Sequence, residues 1–146
     1  MEKGAFDPLS PKERSERMSR VRSKGTKPEI IVRQIICSLG YKYRLHSKEL
    51  PGQPDIVFAK KRKVIFVHGC FWHLHEGCSI YRHPRSKLEF WAPKLQGNLQ
   101  RDLENQLKLH QLGWSVLVIW ECEVKNIKNR PALWRRIYNF LEGNKP

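Results

Sequence analysis

The sequence predicts a single α/β domain in which helices flank a mixed β-sheet. Three observations predict it: a length of 146 residues, an apolar hairpin near the middle of the chain, and amphipathic segments on both sides of it. A chain of this length can bury one sizeable core. The order of elements is two helices, about three strands, then helix, strand and helix, which favours a mixed sheet covered by helices. We divide the chain into a basic arm, residues 1–24, and one domain, residues 25–146.

The chain begins with two helix starts. Ser10 and Pro11 supply a cap and a first-turn proline. Between Lys12 and Lys27 there are seven basic residues and two acids, so this arm is either solvated or becomes ordered along a phosphate backbone. Thr26 caps the second helix, and the apolar residues at helical spacing predict its core face. They are Ile30, Ile31, Ile35 and Leu39, with Cys37 as a small buried residue.

A hairpin follows a probable strand at residues 41–46. The apolar runs 55–59 and 64–68 lie on either side of a basic turn at 60–63, a pattern that predicts two buried strands. Asp55 opens the first of them, and burying an unpaired carboxylate is costly. Either Asp55 binds a divalent cation such as Mg²⁺, which needs one or two protein carboxylates, or it caps a turn.

The second half of the chain predicts a helix, a strand and a last helix. A helical region begins at residues 89–93 and continues as a helix from about 97 to 111. The apolar run 114–120 predicts a strand, and Pro131 opens the final helix. The apolar face expected for the long helix consists of Leu99, Leu103, Leu107 and Leu112.

A loop rich in cysteine and histidine follows the hairpin. Cys70, His75 and Cys78 form C-x4-H-x2-C, and three such ligands suit tetrahedral Zn²⁺. Cys122 is the best fourth ligand, because it follows the last strand and strand ends converge at one sheet edge. Unrelated reduced thiols are the alternative, and a Cys70–Cys78 disulfide is disfavoured in a reducing compartment.

Two histidines lie close to these ligands in sequence. His73 falls between Cys70 and His75, so a bound metal would hold it in a fixed direction, as a general base requires. His68 ends the second hairpin strand, near Asp55. A metal-binding acid together with histidine points to phosphodiester hydrolysis. For any one of these histidines, a purely structural role is the alternative.

The charge of the chain points to a polyanionic partner. Lys and Arg number 28 against 14 acids, giving a formal charge of +14, so nucleic acid is favoured over a membrane surface. We see no run of about 20 apolar residues and no signal-peptide core, and we expect a cytosolic protein. Phe71, Trp72 and Trp91 either plug the core or wedge between base pairs. Glu29 could also approach a metal at Asp55, although surface capping is more common.

The assembled motifs resemble the very short patch repair (Vsr) DNA mismatch endonucleases. The resemblance runs from about Met18 to Cys122, most of the chain, and its many ordered motifs make it specific. It rests on RMSRVRSKGTKPE, LPGQPDIVF, VIFVHGCFWHLHEGC, EFWAPKLQGNLQRD and LGWSVLVIWEC. It implies a restriction-endonuclease-like core similar to the PD-(D/E)xK nucleases, without their usual second carboxylate and lysine.

The resemblance also implies roles for individual residues. Asp55 would bind the catalytic Mg²⁺ and His73 would be the catalytic histidine, with His68 and Asp102 as further active-site residues. Val67 stands where the familiar pattern has threonine, but its backbone carbonyl can still ligate Mg²⁺. Cys70, His75, Cys78 and Cys122 would bind structural Zn²⁺. Phe71, Trp72 and Trp91 would intercalate beside the mismatch, and Met18 lies in the helix that would contact the minor groove.

The implied activity is a nick in one strand, 5′ to the thymine of a T:G mismatch, which arises when 5-methylcytosine deaminates. We expect a monomer that acts on double-stranded DNA at the nucleoid of a prokaryotic cell, with mismatch-repair proteins as possible partners. Two other functions stay open. One is a zinc-stabilised DNA-binding protein without catalysis, and the other is a restriction-type endonuclease that cuts both strands.

Overall fold

The structure is a computed structural model that describes residues 25–73, 75, 78 and 87–143. The basic arm predicted at residues 1–24, Met18 included, lies outside these residues, as does much of the loop at 69–85. Within the described ranges, helices flank a four-stranded mixed sheet, which confirms the predicted fold class. No helix of these ranges is long and apolar enough to cross a membrane.

The sheet has the order β1-β2-β3-β4. The first three strands pair antiparallel, and β3 pairs parallel with β4 from Lys63–Ser115 to His68–Trp120. The C-terminal ends of β3 and β4 therefore meet at one edge of the sheet. The elements in chain order are α1 (Lys27–Ser38), β1 (Arg44–Leu45), β2 (Ile56–Phe58), β3 (Lys63–His68), α2 (Leu88–Gln111), β4 (Ser115–Trp120), α3 (Glu121–Lys125) and α4 (Arg130–Glu142).

Two hydrophobic cores cover the two faces of this sheet. On one face, residues of α1, α3 and α4 pack against the strands in the larger core. On the other face, Leu109 of α2 packs in the smaller core on Val57, Val64 and Phe66. The larger core contains Val32, Ile36, Ile56, Phe58, Ile65, Ile119, Val124, Leu133, Ile137 and Leu141.

The start of α1 is confirmed, and three of its four predicted core residues, Ile31, Ile35 and Leu39, pack against the larger core. The Thr26 side chain accepts a hydrogen bond from the Glu29 N–H at 3.4 Å, as expected of a cap. Val32 and Ile36 are fully buried, whereas Ile30 is 38% exposed and Cys37 is also exposed. The predictions for Ile30 and Cys37 were therefore wrong, while Val32 and Ile36, which were not singled out from the sequence, complete the core face.

The long helix α2 buries a different face from the predicted one. It is continuous from Leu88 with Pro93 as its sixth residue, where proline removes one backbone hydrogen bond of the helix. Leu95 and Leu109 are buried, but Leu103, Leu107 and Leu112 are each more than half exposed. The inner face of α2 carries polar residues of the cleft described below, and these interrupt the apolar period on which the prediction rested.

Lys63 was predicted to lie in the basic turn at residues 60–63, and this was wrong. It is the first residue of β3 and is only 7% exposed. Its Nζ donates hydrogen bonds to the carbonyls of Phe140, Leu141 and Gly143 at the end of α4. An ammonium group at a helix C-terminus satisfies unpaired carbonyls and complements the helix dipole. Burial lowers the pKa of Lys63.

Replacing Lys63 with methionine is expected to lower the free energy of unfolding by about 1–3 kcal/mol, because the carbonyls at the end of α4 would lose their buried donor. Urea unfolding followed by circular dichroism measures this change. Lys60→Met is the matched control, since Lys60 is exposed in the neighbouring turn and surface substitutions usually change stability by less than about 0.5 kcal/mol. Equal effects of the two substitutions would contradict the assigned role of Lys63.

Candidate active site

Asp55 lies just before β2, and its carboxylate reaches the backbone of β3. Its Oδ2 accepts a hydrogen bond of 2.7 Å from the Val67 N–H. Burial raises the pKa of Asp55 to about 6; the charge of Glu29 also raises it, while the hydrogen bond from Val67 opposes the shift. A carboxylate that is this costly to ionise is stabilised by a nearby cation.

His73 is held by Asp102 of α2. The distance from His73 Nδ1 to Asp102 Oδ2 is 2.5 Å, and both side chains are partly exposed. An ionised carboxylate accepts hydrogen bonds, so Nδ1 donates and Nε2 carries the free lone pair. Asp102 therefore fixes both the ring orientation and the tautomer of His73.

His68 stacks on His73. The ring centroids are 3.8 Å apart and the planes are nearly parallel, at 4°. Burial lowers the pKa of His68 to about 3, and the neighbouring His73 lowers it too, so His68 is neutral at physiological pH. Its Nδ1 is buried and has no hydrogen-bond partner among the described residues.

These side chains share one cleft of about 420 Å³. Asp55 and His73 therefore lie on the same side of the sheet, as any joint role in hydrolysis requires. Gly52 (φ +77°) lies where a Cβ would come within 3.0 Å of Asn105 and 3.2 Å of Phe66, so only glycine fits this part of the wall. The cleft is lined by His46, Gly52, Gln53, Asp55, Phe66, Val67, His68, His73, Asp102 and Asn105.

Three polar side chains of the cleft, those of His46, Gln53 and Asn105, were not singled out from the sequence. Asn105 lies one helical turn after Asp102, and that spacing was the available signal. Gln53 and His46 have φ values of 48° and 49°, in the left-handed region that non-glycine residues rarely adopt. No sequence pattern indicates such backbone conformations outside glycine and asparagine, so these two residues could be found only in the structure.

The cysteines and the histidine of the predicted zinc site converge. One ligand atom from each of Cys70, His75, Cys78 and Cys122 lies within 4.8 Å of every other, so the cluster could hold a metal ion. Cys70 follows β3 and Cys122 lies in α3, directly after β4, so the parallel strand ends bring them together. None of the four cysteines, including the exposed Cys37, forms a disulfide.

The spacing of the ligand atoms fits tetrahedral coordination. His75 Nδ1 lies 3.5 Å from Cys70 Sγ and 3.4 Å from Cys122 Sγ. Zn–S and Zn–N bonds of about 2.3 and 2.0–2.1 Å at a tetrahedral angle give an S···N separation of about 3.5 Å. Burial raises the pKa of Cys70 to about 12, and a bound cation would favour its thiolate instead.

Aromatic side chains group beside the cleft. The ring centroid of Phe71 is 5.1 Å from that of Trp72 and 5.2 Å from that of Trp91, and all three side chains are partly exposed. Phe90, which sequence reasoning missed, packs on Trp91 with a centroid distance of 4.9 Å and is 43% exposed. Asn98 donates a hydrogen bond of 2.9 Å to the Trp72 carbonyl and ties this cluster to α2.

Comparison with known proteins gives concordant matches. A family model described as DNA mismatch endonuclease Vsr matches residues 6–79. The type II nicking enzyme V.XorIIP of Xanthomonas oryzae pv. oryzae is 48% identical over 136 residues, which cover 93% of this chain and 97% of that protein. The DNA mismatch endonuclease Vsr of Escherichia coli is 38% identical over 132 residues, 89% of this chain and 84% of that protein.

The fold also matches a solved nuclease. The catalytic domain of the homing endonuclease I-Bth0305I superposes with a TM-score of 0.54 at 22% identity, over 80% of this chain and 94% of that domain. Fold and sequence relatives thus define a DNA endonuclease with a restriction-endonuclease-like core. Within that class, the chain belongs to the Vsr family of DNA mismatch endonucleases.

Proposed function

We propose that this protein nicks one strand of duplex DNA 5′ to the thymine of a T:G mismatch, in a reaction that requires Mg²⁺. One observation carries the proposal: Asp55 shares a cleft with the His73–Asp102 pair, beside an aromatic cluster. The E. coli relative is named a mismatch endonuclease and the Xanthomonas relative a nicking enzyme. These names support strand-specific cleavage of mismatched DNA.

Asp55 is the proposed ligand of the catalytic Mg²⁺, together with the backbone carbonyl of Val67. The carboxylate fits this role because burial disfavours its ionised form, and a bound cation would offset that cost. Mg²⁺ typically takes one or two carboxylates or a carbonyl as protein ligands and keeps several waters. When bound, Mg²⁺ would polarise the scissile phosphate and stabilise the charge that develops on it. Val67 in place of threonine leaves the carbonyl available.

His73 is the proposed general base. Because Asp102 accepts the Nδ1 proton, the lone pair on Nε2 is free to take a proton from the attacking water. Asp102 then stabilises the imidazolium that forms. His68, neutral and stacked on His73, would hold the ring plane, and its unpaired Nδ1 would be satisfied by a group of the substrate.

Phe71, Trp72 and Trp91 are the proposed wedge beside the mismatch. Partly exposed aromatic rings next to a nuclease cleft suit insertion between base pairs, which costs less at a mispaired step. The formal charge of +14 supplies affinity for the phosphate backbone. Met18, predicted to reach the minor groove, lies outside the described residues, as does the arm at residues 1–24 that we propose to bind DNA.

We propose that the metal held by Cys70, His75, Cys78 and Cys122 is Zn²⁺ with a structural role. Thiolates and an imidazole at tetrahedral spacing support this identity, and four protein ligands leave no open position for chemistry. The monomeric state, the contact with mismatch-repair proteins, the location at the bacterial nucleoid and the domain division at residue 24 remain predictions.

A nicking assay with matched duplexes tests the proposed function. On a duplex carrying one T:G mismatch, the protein is expected to cut only the strand that contains the thymine, and only with Mg²⁺ present. The T:A duplex of the same sequence is the control and should be cut at least about 10²-fold more slowly, since the intact pair resists unstacking. Denaturing gel electrophoresis with each strand labelled separately measures both rates.

Two outcomes would replace the proposal by an alternative. Binding to the T:G duplex without any nick under all metal conditions would favour a zinc-stabilised DNA-binding protein. Cleavage of both strands, with the T:A duplex preferred, would favour a restriction-type endonuclease.

A further inference from the structure

The lining of the cleft is unusual for a protein that acts on a polyanion. Lys and Arg number 28 in the chain, yet the described residues that line the cleft include neither a lysine nor an arginine. The lining does include two carboxylates, those of Asp55 and Asp102. Negative charges repel phosphate groups, so a DNA strand in this cleft has to be held by the proposed cation and by neutral hydrogen-bond donors.

A further carboxylate next to Asp55 strengthens this requirement. Glu29, which could approach a metal at Asp55, does lie beside it: ligand atoms of Glu29, His46 and Asp55 are all within 4.8 Å of one another. The Glu29 side chain is 1% exposed, and its Oε2 lies 2.9 Å from Nε2 of His46. That imidazole nitrogen therefore already has a partner, and donors for the DNA strand must come from elsewhere in the lining.

Gln53 and Asn105 carry the carboxamide groups of the lining. A carboxamide can donate two hydrogen bonds without carrying a charge. Neither side chain forms a hydrogen bond with another part of the described chain. Asn105 is partly buried and Gln53 is exposed. Because polar groups that leave bulk water are normally hydrogen-bonded, the free amide of Asn105 favours a ligand that accepts hydrogen bonds.

The backbone places these two carboxamides next to each other. A Cβ added at Gly52 would lie 3.0 Å from Cβ of Asn105, so the loop before β2 contacts α2 at this residue. Gln53 follows directly, and its N–H donates a hydrogen bond of 3.0 Å to the Leu50 carbonyl. The φ of Gln53 is 48°. Such left-handed conformations cost a non-glycine residue energy and cluster at ligand-binding positions.

We propose that Gln53 and Asn105 form a phosphate subsite, which binds the non-bridging oxygens of the DNA phosphate directly adjacent to the scissile one. The subsite rests on the proposed function, because the scissile phosphate itself is assigned to Asp55 and His73. Gln53 lies two residues before Asp55, and Asn105 lies three residues after Asp102. A strand anchored by both carboxamides is therefore aligned with the proposed metal ligand and with the residue that orients the proposed base.

Neutral donors suit this position better than cationic ones. A lysine or arginine at residue 53 or 105 could form an ion pair with Asp55 or Asp102, and a cationic partner stabilises a carboxylate in place of a metal. A carboxamide binds the phosphate oxygens and leaves both carboxylates to their proposed roles. The subsite thus explains how the cleft can bind a phosphate strand without lysine or arginine in its described lining.

Methylphosphonate substitution of the nicked strand tests the subsite. It replaces one non-bridging oxygen with a methyl group and so removes the charge and an acceptor from a single phosphate. At one of the two phosphates adjacent to the scissile one, the substitution is expected to slow single-turnover nicking of the T:G duplex by the wild type roughly 10–100-fold. The double variant Gln53→Gly, Asn105→Ala should show a loss of this size on the unmodified duplex. Glycine is chosen because it adopts positive φ without strain.

The decisive quantity is the coupling between protein and DNA changes. In the double variant, the methylphosphonate at that adjacent position should slow nicking further by no more than about twofold, because the interaction is already lost. A methylphosphonate at more distant phosphates should slow the wild type and the double variant equally. Asn105→Ala alone, which leaves the loop before β2 intact, should lose part of the sensitivity, so the test does not depend on how the double variant folds.

Gln111→Ala is the matched control, because Gln111 is an exposed carboxamide of α2 outside the cleft. It should keep the wild-type sensitivity at every phosphate. If both subsite variants keep that sensitivity too, the subsite is overturned, and wild-type nicking of the T:G duplex would leave the proposed function standing. If the wild type does not nick, the proposed function fails, and the same coupling, measured by fluorescence anisotropy of DNA binding, still decides whether the subsite exists.

Discussion

Replacing Asp55 with asparagine is expected to abolish nicking of the T:G duplex, by at least about 10²–10³-fold, while DNA binding stays close to that of the wild type. Asparagine keeps an acceptor for the Val67 N–H but lacks the charge that would hold Mg²⁺. Single-turnover nicking and a fluorescence-anisotropy titration measure the two properties separately. If Asp55→Asn nicks DNA at the wild-type rate, Asp55 takes no part in the reaction.

The same substitution should stabilise the fold near neutral pH. The folded-state pKa of Asp55 is about 6, above the value of about 3.9 in an unfolded chain. Relative to an ionised carboxyl, protonated Asp55 therefore favours the folded state. This contribution to the free energy of unfolding is present at low pH and is lost as the pH rises through about 6. Asp55→Asn should be more stable at pH 7.5, by at most about 3 kcal/mol, and the difference should vanish below about pH 4. Urea unfolding at both pH values, without Mg²⁺, measures it.

The pH dependence of nicking follows from the same carboxyl. At low Mg²⁺ concentration, the rate is expected to rise with a midpoint near pH 6, because the pKa of Asp55 is about 6 and only its ionised form would hold the proposed cation. Raising the Mg²⁺ concentration should move the midpoint to lower pH. Asp102→Asn is the comparison: it should slow nicking by disturbing His73 and keep the Mg²⁺-dependent shift of the midpoint. A wild-type midpoint that does not change with Mg²⁺ concentration would contradict the assignment of Asp55 as the ligand of the catalytic cation.

Loss of the metal from the cysteine cluster is expected to lower Tm by at least about 10 °C and to abolish nicking. Structural zinc contributes about 10–16 kcal/mol to the folding of zinc-finger peptides, and each 1 kcal/mol shifts Tm by about 2–8 °C. Cys122→Ser removes one ligand and releases the loop after β3 from α3. Because His73 lies between Cys70 and His75, this release also frees the proposed general base. Thermal unfolding and metal analysis by mass spectrometry measure the effects.

Cys37→Ser is the matched control for this substitution, since Cys37 is exposed and outside the cluster. Its Tm and zinc content should equal those of the wild type, at about one zinc per chain for a site with four protein ligands. A protein purified without chelator that contains no zinc, or a Cys122→Ser variant with an unchanged Tm, would contradict a structural metal at this position.

Much of the fold could be predicted because its signals are local. The hairpin, the Thr26 cap and the apolar strand before Glu121 are each encoded within a few consecutive residues, and the structure has all three. The convergence of Cys70 with Cys122 also followed from the sequence, because strand ends meet at a sheet edge. The zinc-binding role of these two cysteines and the catalytic roles of Asp55 and His73 were predicted mainly from the family resemblance.

The wrong predictions share a physical cause. Whether Lys63 is exposed depends on α4, which lies almost 80 positions later along the chain, and a basic turn pattern contains no information about that contact. Leu103 and Leu107 follow the apolar period of α2 and are exposed, whereas the buried Leu95 and Leu109 and the cleft-lining Asp102 and Asn105 face the sheet.

The unequal cores on the two faces of the sheet have a consequence for evolution and for engineering. The larger core lies away from the cleft, while the catalytic candidates share their face with only the smaller one. Substitutions of the polar side chains in the cleft therefore disturb little of the packing that keeps the domain folded. A scaffold arranged in this way can acquire new base preferences through successive changes while remaining a folded endonuclease at each step.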